Sequence, residues 1–297
     1  MVTRYRRPLA AALAASAGLV GLAAAAAIEV TDDTGARIRL EQPARRIVAL
    51  APHLSELVFE AGAGERLVGV AAYSDFPAAA RSIPRIGDAR ALDLERIVAL
   101  RPDLVVAWTS GSPKRQVDRL RAMGTPVFSN EPRRLEDIAE AIERLGELAG
   151  TLETARARAR TLRARIMELR ELAAAKRRVS VFYQVWGSPL LTVNSRHVIA
   201  DALALCGADN VFGRERLLVT HVSLEAVLLA DPEAVIVASA PAEAAESTLA
   251  WRRWERLRAV RSGNVFAIDP GLLHRHTARI LDGVGQLCAH IDTARRR

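Results

Sequence analysis

"DLERIVALRPDLVVA" (residues 93–107) and "SLEAVLLADPEAVIV" (residues 223–237) write one pattern twice in a single chain. Asp93 and Ser223 stand where a helix N-cap is needed, and Leu94-Glu95 and Leu224-Glu225 follow them. Apolar residues then recur at helical spacing, as Leu94, Ile97 and Val98 in one copy and Leu224, Val227 and Leu228 in the other. Pro102 and Pro232 end the helix, and a short run of Val, Ile, Leu and Ala after each reads as a buried strand. Each copy is half of a βαβ unit. The shared spacing of cap, glutamate and proline implies a duplication, and so an α/β chain of two similar lobes.

Working outward, strands alternate with helices. "IEVTDDTGARIRL" predicts a hairpin-like pair of short strands turning at Asp32 to Gly35. "RIVAL" (46–50) and "RLVGV" (66–70) predict strands flanking a helix that Gly62 and Gly64 close. In the second half, strands are expected at 178–185, in the repeat and at 264–268, with one helix over "LAWRRWERLRAV" and a last one from about Arg279. Such alternation implies mostly parallel sheets with right-handed crossovers. Between the halves, Thr151 to Lys176 contains no Gly or Pro, and apolar residues fall at 152, 155, 159, 162, 166, 169 and 173. That is one narrow stripe on a helix of about 26 residues, roughly 39 Å long. The expected division is a lobe at 28–150, a rigid connecting helix at 151–177 and a lobe at 178–297, with little hinge bending.

The first 27 residues differ in kind. Arg4, Arg6 and Arg7 precede the apolar, small-residue stretch "PLAAALAASAGLVGLAAAAA", the pattern of a signal peptide cleaved near Ala25 to Ala27. Export is therefore expected, with no lipid anchor, since no cysteine lies near the cleavage site. Loss of the three arginines lowers the formal charge from +8 to +5. Most of that excess is arginine interleaved with glutamate, as in "ETARARARTLRARIMELRE", which reads as a solvated helix face and not as a nucleic-acid surface. Cys206 and Cys288 are the only cysteines, and a lone pair in an exported chain is expected to be bonded.

In open α/β sheets ligands sit beyond the carboxyl ends of the strands. The residues there are Pro52 and His53 after the first strand of the sheet, Tyr73 to Phe76 after "RLVGV", Trp108 to Ser110 after "LVVA", Trp186 and Gly187 after "VFYQV", and Leu272 to His274 near the end. Aromatic residues make up 4% of the chain, yet Tyr73, Trp108 and Trp186 share these loops, which points to contact with a ligand. Trp251 and Trp254 lie three apart on a predicted helix and are expected to pack. No G-x-S-x-G, Gly-rich phosphate loop or H-E-x-x-H occurs, so no catalytic set stands out. His274 and His276 lack a third ligand in sequence and read as exposed loop histidines; His53 could face a metal centre but reads first as an ordinary loop histidine.

The stretch "AAYSDFPAAARSIPRIGDARALDLERIVALRPDLVVAWTSGSPKRQVDRL" (71–120) resembles the periplasmic cobalamin-binding proteins of ABC importers, and the similarity runs from about Arg46 to Ile291. Their wider family shares a two-lobed, helical-backbone fold with haem- and ferric-siderophore-binding proteins. The resemblance implies a non-catalytic receptor without a resident cofactor or metal site. Its ligand would be a corrinoid, its partner an inner-membrane permease, and its state a periplasmic monomer. It implies a Cys206–Cys288 bond, ligand stacking at Tyr73 and Trp108, and Glu95 as a surface glutamate meeting arginines on the permease; with the strand-end residues Pro52, His53, Asp75, Trp186 and Leu273, Tyr73 and Trp108 make up the expected ligand set. Glu225 is read as a carboxylate complementing its helix dipole. Ala89 stands where the family often has a pocket tryptophan, and Leu272 and Leu273 replace an aromatic pair. A haem or siderophore receptor is the alternative, with Arg90 and Arg275 available to anionic chelates. A metal-chelatase-like enzyme is the more distant one, and would need clustered His, Cys or carboxylate ligands.

Overall fold

The computed structural model describes residues 27–88 and 90–297. The chain opens with the antiparallel pair β1 (Ile28–Thr31) and β2 (Arg37–Leu40). Asp32 holds the turn between them, accepting from the backbone N–H groups of Thr34 and Ala36 through Oδ1. Its Oδ2 accepts from Ser129 N, which ties the hairpin to the first large sheet.

That sheet is fully parallel: β3 (Ile47–Ala49), β4 (Leu67–Val70), β5 (Leu104–Trp108) and β6 (Val127–Asn130), in the order β4-β3-β5-β6. The helices around it are α1 (Pro52–Glu60), α2 (Leu94–Ala99), α3 (Lys114–Ala122) and α4 (Leu135–Ala149). Next comes α5 (Leu152–Ala173), of 22 residues, a turn shorter than the Gly-free run suggests. Its buried residues are Ala155, Ala159, Leu162 and Ile166, four of the seven stripe positions. Small residues let it press close to α4: a Cβ on Gly146 would stand 2.3 Å from the Ala155 Cβ.

The second parallel sheet has β7 (Val179–Gln184), β10 (Ala208–Asn210), β12 (Ala234–Ala238) and β13 (Val265–Ile268), in the order β10-β7-β12-β13. A small antiparallel sheet of β8 (Trp186–Gly187), β9 (Leu190–Val193) and β11 (Val219–His221) leans beside it. The helices are α6 (Val198–Leu205), α7 (Leu224–Ala230), α8 (Ala244–Arg252), α9 (Arg258–Arg261), α10 (Pro270–Leu273) and α11 (Ile280–Arg296). The single helix expected over "LAWRRWERLRAV" is thus two. Leu257 is extended, and Arg258 N donates to Asp231 Oδ1, so a contact from a distant turn replaces the continuing ladder.

The repeat holds down to the backbone. Asp93 Oδ1 accepts from Arg96 N at 2.9 Å to cap α2, and Ser223 Oγ accepts from Ala226 N at 3.1 Å to cap α7. Just before each proline, Arg101 (φ 45°) and Asp231 (φ 40°) take the left-handed conformation that turns the chain from helix to strand. The disulfide joins Cys206, at the end of α6, to Cys288 in α11, with Cα atoms 4.8 Å apart.

Candidate ligand-binding cleft

The carboxyl edges of the two parallel sheets supply the site. On the first, Trp108 ends β5 opposite Asn130, and Glu131 follows directly. Glu131 is buried and fixes the loop: Oε1 accepts from Trp108 Nε1 at 3.3 Å, and Oε2 accepts from Ser110 N at 2.7 Å. The indole is therefore half-buried but held in one orientation. On the second, His197 caps α6 by accepting from Ile199 N through Nδ1, while His274 and His276 follow α10.

These groups meet. His53, in the first turn of α1, sits edge-on to Trp108 with ring centroids 5.1 Å apart. His276 lies 5.5 Å from His53 and 5.5 Å from His197, and 6.0 Å from Trp108. His274 Nε2 and Tyr183 Oη are 3.0 Å apart. A cavity of about 390 Å³ opens here between the halves, walled by Trp108 and Ser110 on one side and by Val185, His197, His274 and His276 on the other. Burial keeps all four imidazoles neutral: His53 and His197 lie well below the ordinary 6.5, His274 falls to about 4 and His276 to about 3. A larger cavity of about 720 Å³, bounded by Gln184, His221 and Trp251, belongs to the second half alone and does not reach the first sheet.

Beside the cavity the halves are pinned together. Glu56 on α1 is 1% exposed, and Arg275 Nη1 donates to its Oε1 at 2.8 Å. The same Nη1 donates to Asp75 Oδ1 at 2.6 Å, and Arg275 Nη2 to Tyr73 O at 3.3 Å. Thr277 Oγ1 donates to Glu56 Oε2 at 3.2 Å, and Arg279 lies 3.4 Å from the same oxygen. A buried carboxylate needs such company, because desolvation alone would penalise its charge.

A family model described as "Periplasmic binding protein" matches residues 47–272. The chain belongs to the periplasmic binding protein family. It is 33% identical over 256 residues to the vitamin B12-binding protein of Vibrio cholerae, covering 86% of this chain and 92% of that one. The crystal structure of the periplasmic vitamin B12 binding protein of Vibrio cholerae superposes with a TM-score of 0.80, covering 86% of this chain and 99% of that chain at 33% identity. A periplasmic heme binding protein from Pseudomonas aeruginosa, 27% identical, superposes with a TM-score of 0.73 over 84% of this chain and 92% of that chain.

In this periplasmic binding protein the residues expected at the ligand do not share one place. Trp108 lines the cavity, and His53 packs against it while 4% exposed. Pro52 is half-buried at the start of α1. Tyr73 and Trp186 are 78% and 61% exposed and outside the cavity wall; Trp186 Nε1 donates to Ser188 O. Asp75 is an exposed partner of Arg275. Leu273 is a correction: it is 0% exposed, in the core against Gly283 of α11, so no ligand can reach it without unpacking that helix. His276 is a second correction, since it is buried among aromatic rings and not exposed on a loop. Ala89 lies outside the described residues, as do residues 1–26 of the expected signal peptide. Sequence reasoning missed Glu131 and His197. The cap position of His197 before "VIADALAL" was a usable signal; nothing local marks Glu131. Trp251 packs as expected, donating from Nε1 to Gln184 Oε1 at 2.7 Å.

Proposed function

We propose that this protein binds a corrinoid between its two lobes in the periplasm and delivers it to the permease of an ABC importer. The observation that carries the reading is the 33% identity with a vitamin B12-binding protein across 86% of the chain, combined with an indole fixed at the wall of the interlobe cavity. At about 390 Å³ the cavity admits part of a macrocycle. Trp108 contacts that part, and the exposed Tyr73 and Trp186 cover what projects. The chain is exported through a cleaved signal peptide and acts as a monomer, without nucleic acid and without a resident cofactor. Its lobes are residues 28–150 and 178–297, joined through 151–177. It acts as a receptor, its cavity wall joining the Trp108 indole and neutral imidazoles to aliphatic side chains such as Val185, Leu217 and Leu218.

A heme ligand is the second reading, favoured by the imidazoles in the wall and by the heme-binding relative. Tryptophan fluorescence decides where the ligand sits. Cobalamin should quench it, and Trp108→Ala should weaken binding by about 1–3 kcal/mol, the scale of a lost aromatic contact. Unchanged affinity in that variant would move the site away from this cavity.

A further inference from the structure

Glu56 also borders a second cavity at the junction of the halves, of about 490 Å³, which shares no wall residue with the Trp108 cavity. Its walls come from α1, from Phe76 and Pro77, from α5 and from the start of α11. Arg158, Thr161, Leu162 and Arg165 of α5 stand at i, i+3, i+4 and i+7, so one face of that helix lines it. Phe59 and Phe76 add two aromatic rings, and the buried Leu162 and Leu281 add aliphatic surface.

The charges in this wall are unevenly satisfied. Arg156, Arg163 and Arg170 of α5 pair with Glu153, Glu143 and Glu136. Arg158 and Arg165, the two in the cavity wall, have no ion-pair partner among the described residues. Arg279 is already committed, since it pairs with Glu56 and lies 3.9 Å from the centre of the Phe76 ring. Glu60 accepts from Ala278 N at 3.1 Å, and burial lifts its pKa to about 7, so it is partly protonated at neutral pH. That leaves two guanidiniums against Asp282 and a fraction of Glu60, an excess of positive charge beside apolar rings. Seven residues apart, about 10.5 Å along the axis, the two long side chains can close on one acid group. A guanidinium offers a carboxylate or sulfonate parallel N–H donors and also packs on an aromatic face.

We propose that this cavity is a second binding site, separate from the corrinoid cleft, for a small amphipathic anion. The ligand class is an aromatic carboxylate or sulfonate, with its acid group on Arg158 and Arg165 and its rings on Phe59 and Phe76. The cavity volume suits a molecule of that size. Because the wall joins α1 to α11 of the other half, an occupant stabilises the folded chain and braces the halves. Glu60 shares the wall with Glu56 of its own helix, Arg158 and Arg165 of α5, and Arg279 and Asp282 from the α11 side. Its protonation removes a negative charge beside the bound anion.

The probe is 1-anilinonaphthalene-8-sulfonate, which is flat, apolar and permanently anionic. Calorimetric titration of the mature protein should find one molecule bound per chain, equally with and without cobalamin. The Arg158→Ala, Arg165→Ala double variant should weaken that binding by about 10-fold, the scale of losing charge-assisted contacts at a partly exposed site. Its unchanged melting temperature reports that it folds, and Trp108→Ala should leave the probe's affinity unchanged. N-phenyl-1-naphthylamine, the same body without the sulfonate, should bind about 10-fold more weakly and ignore the arginine variant. Probe affinity should rise as pH falls from about 8 to about 6 in the wild-type protein and stay level in Glu60→Gln. No binding, an affinity untouched by the arginine variant, equal binding of the uncharged body, or displacement by cobalamin would overturn the inference. None of those results bears on whether the main cleft takes a corrinoid.

Discussion

At the scale of single residues, the cleft histidines set a pH dependence of known sign. His53, His197, His274 and His276 all have folded pKa values below the ordinary 6.5, with burial as the largest cause. Each binds a proton less readily folded than unfolded, so its contribution is full above about 6.5 and is lost as pH falls towards 4 and 3. Glu60 works the other way. Burial raises its carboxyl from 4.5 to about 7, so its contribution is full below 4.5 and is lost as pH rises through 7. Four imidazoles outweigh one carboxyl, and the melting temperature should fall from pH 7 to pH 5, less steeply in His276→Gln. A profile flat over that range in the wild-type protein would contradict the burial of the cluster. Trp108 was legible because a strand end fixes where a side chain emerges. His276 was not, since an H-x-H written on a loop says nothing about an α1 histidine and a β5 tryptophan arriving from the other half of the chain.

At the scale of elements, the repeat was the most legible feature, because cap, helix, proline and strand are all local signals. Asp93 and Ser223 cap as read, and Pro102 and Pro232 follow left-handed turns at Arg101 and Asp231. The break between α8 and α9 was not legible, because it depends on Asp231 accepting from Arg258 N across the fold. The Cys206–Cys288 bond closes a separation of 82 residues and ties α6 to α11. In the chain-entropy model a loop of that size is worth about 4.5 kcal/mol. The Cys206→Ser, Cys288→Ser double variant should lose roughly that much in denaturant unfolding. Thiol titration of the unreduced, denatured wild-type protein should find no free thiol. Two free thiols would refute the bond, and a double variant of unchanged stability would refute the entropic account.

At the scale of the whole molecule, the two halves are held in register by α5 and by the buried Glu56 with Arg275, Thr277 and Arg279, an arrangement suited to a receptor that opens little. None of the inter-half ion pairs could be read from sequence, since their partners lie 200 or more residues apart. The duplication also places Glu95 and Glu225 at the same point of two first turns, both exposed. Glu95 is the proposed contact with the permease, while Glu225, held by its own backbone N–H and by Ser223, complements its helix dipole. Glu95→Ala should leave ligand affinity and melting temperature nearly unchanged and reduce complex formation with the transporter, more so at low salt, where exposed charges act over a longer range, whereas Glu225→Ala should mainly lower stability slightly. Normal transport by Glu95→Ala with impaired transport by Glu225→Ala would show the docking assignment to be wrong. The central claim is that the interlobe cleft takes a corrinoid, and calorimetric titration of the mature protein with cobalamin tests it most directly. One cobalamin should bind per chain with measurable heat, and the heat should shrink in Trp108→Ala; no heat with cobalamin, together with saturable binding of heme, would contradict the account.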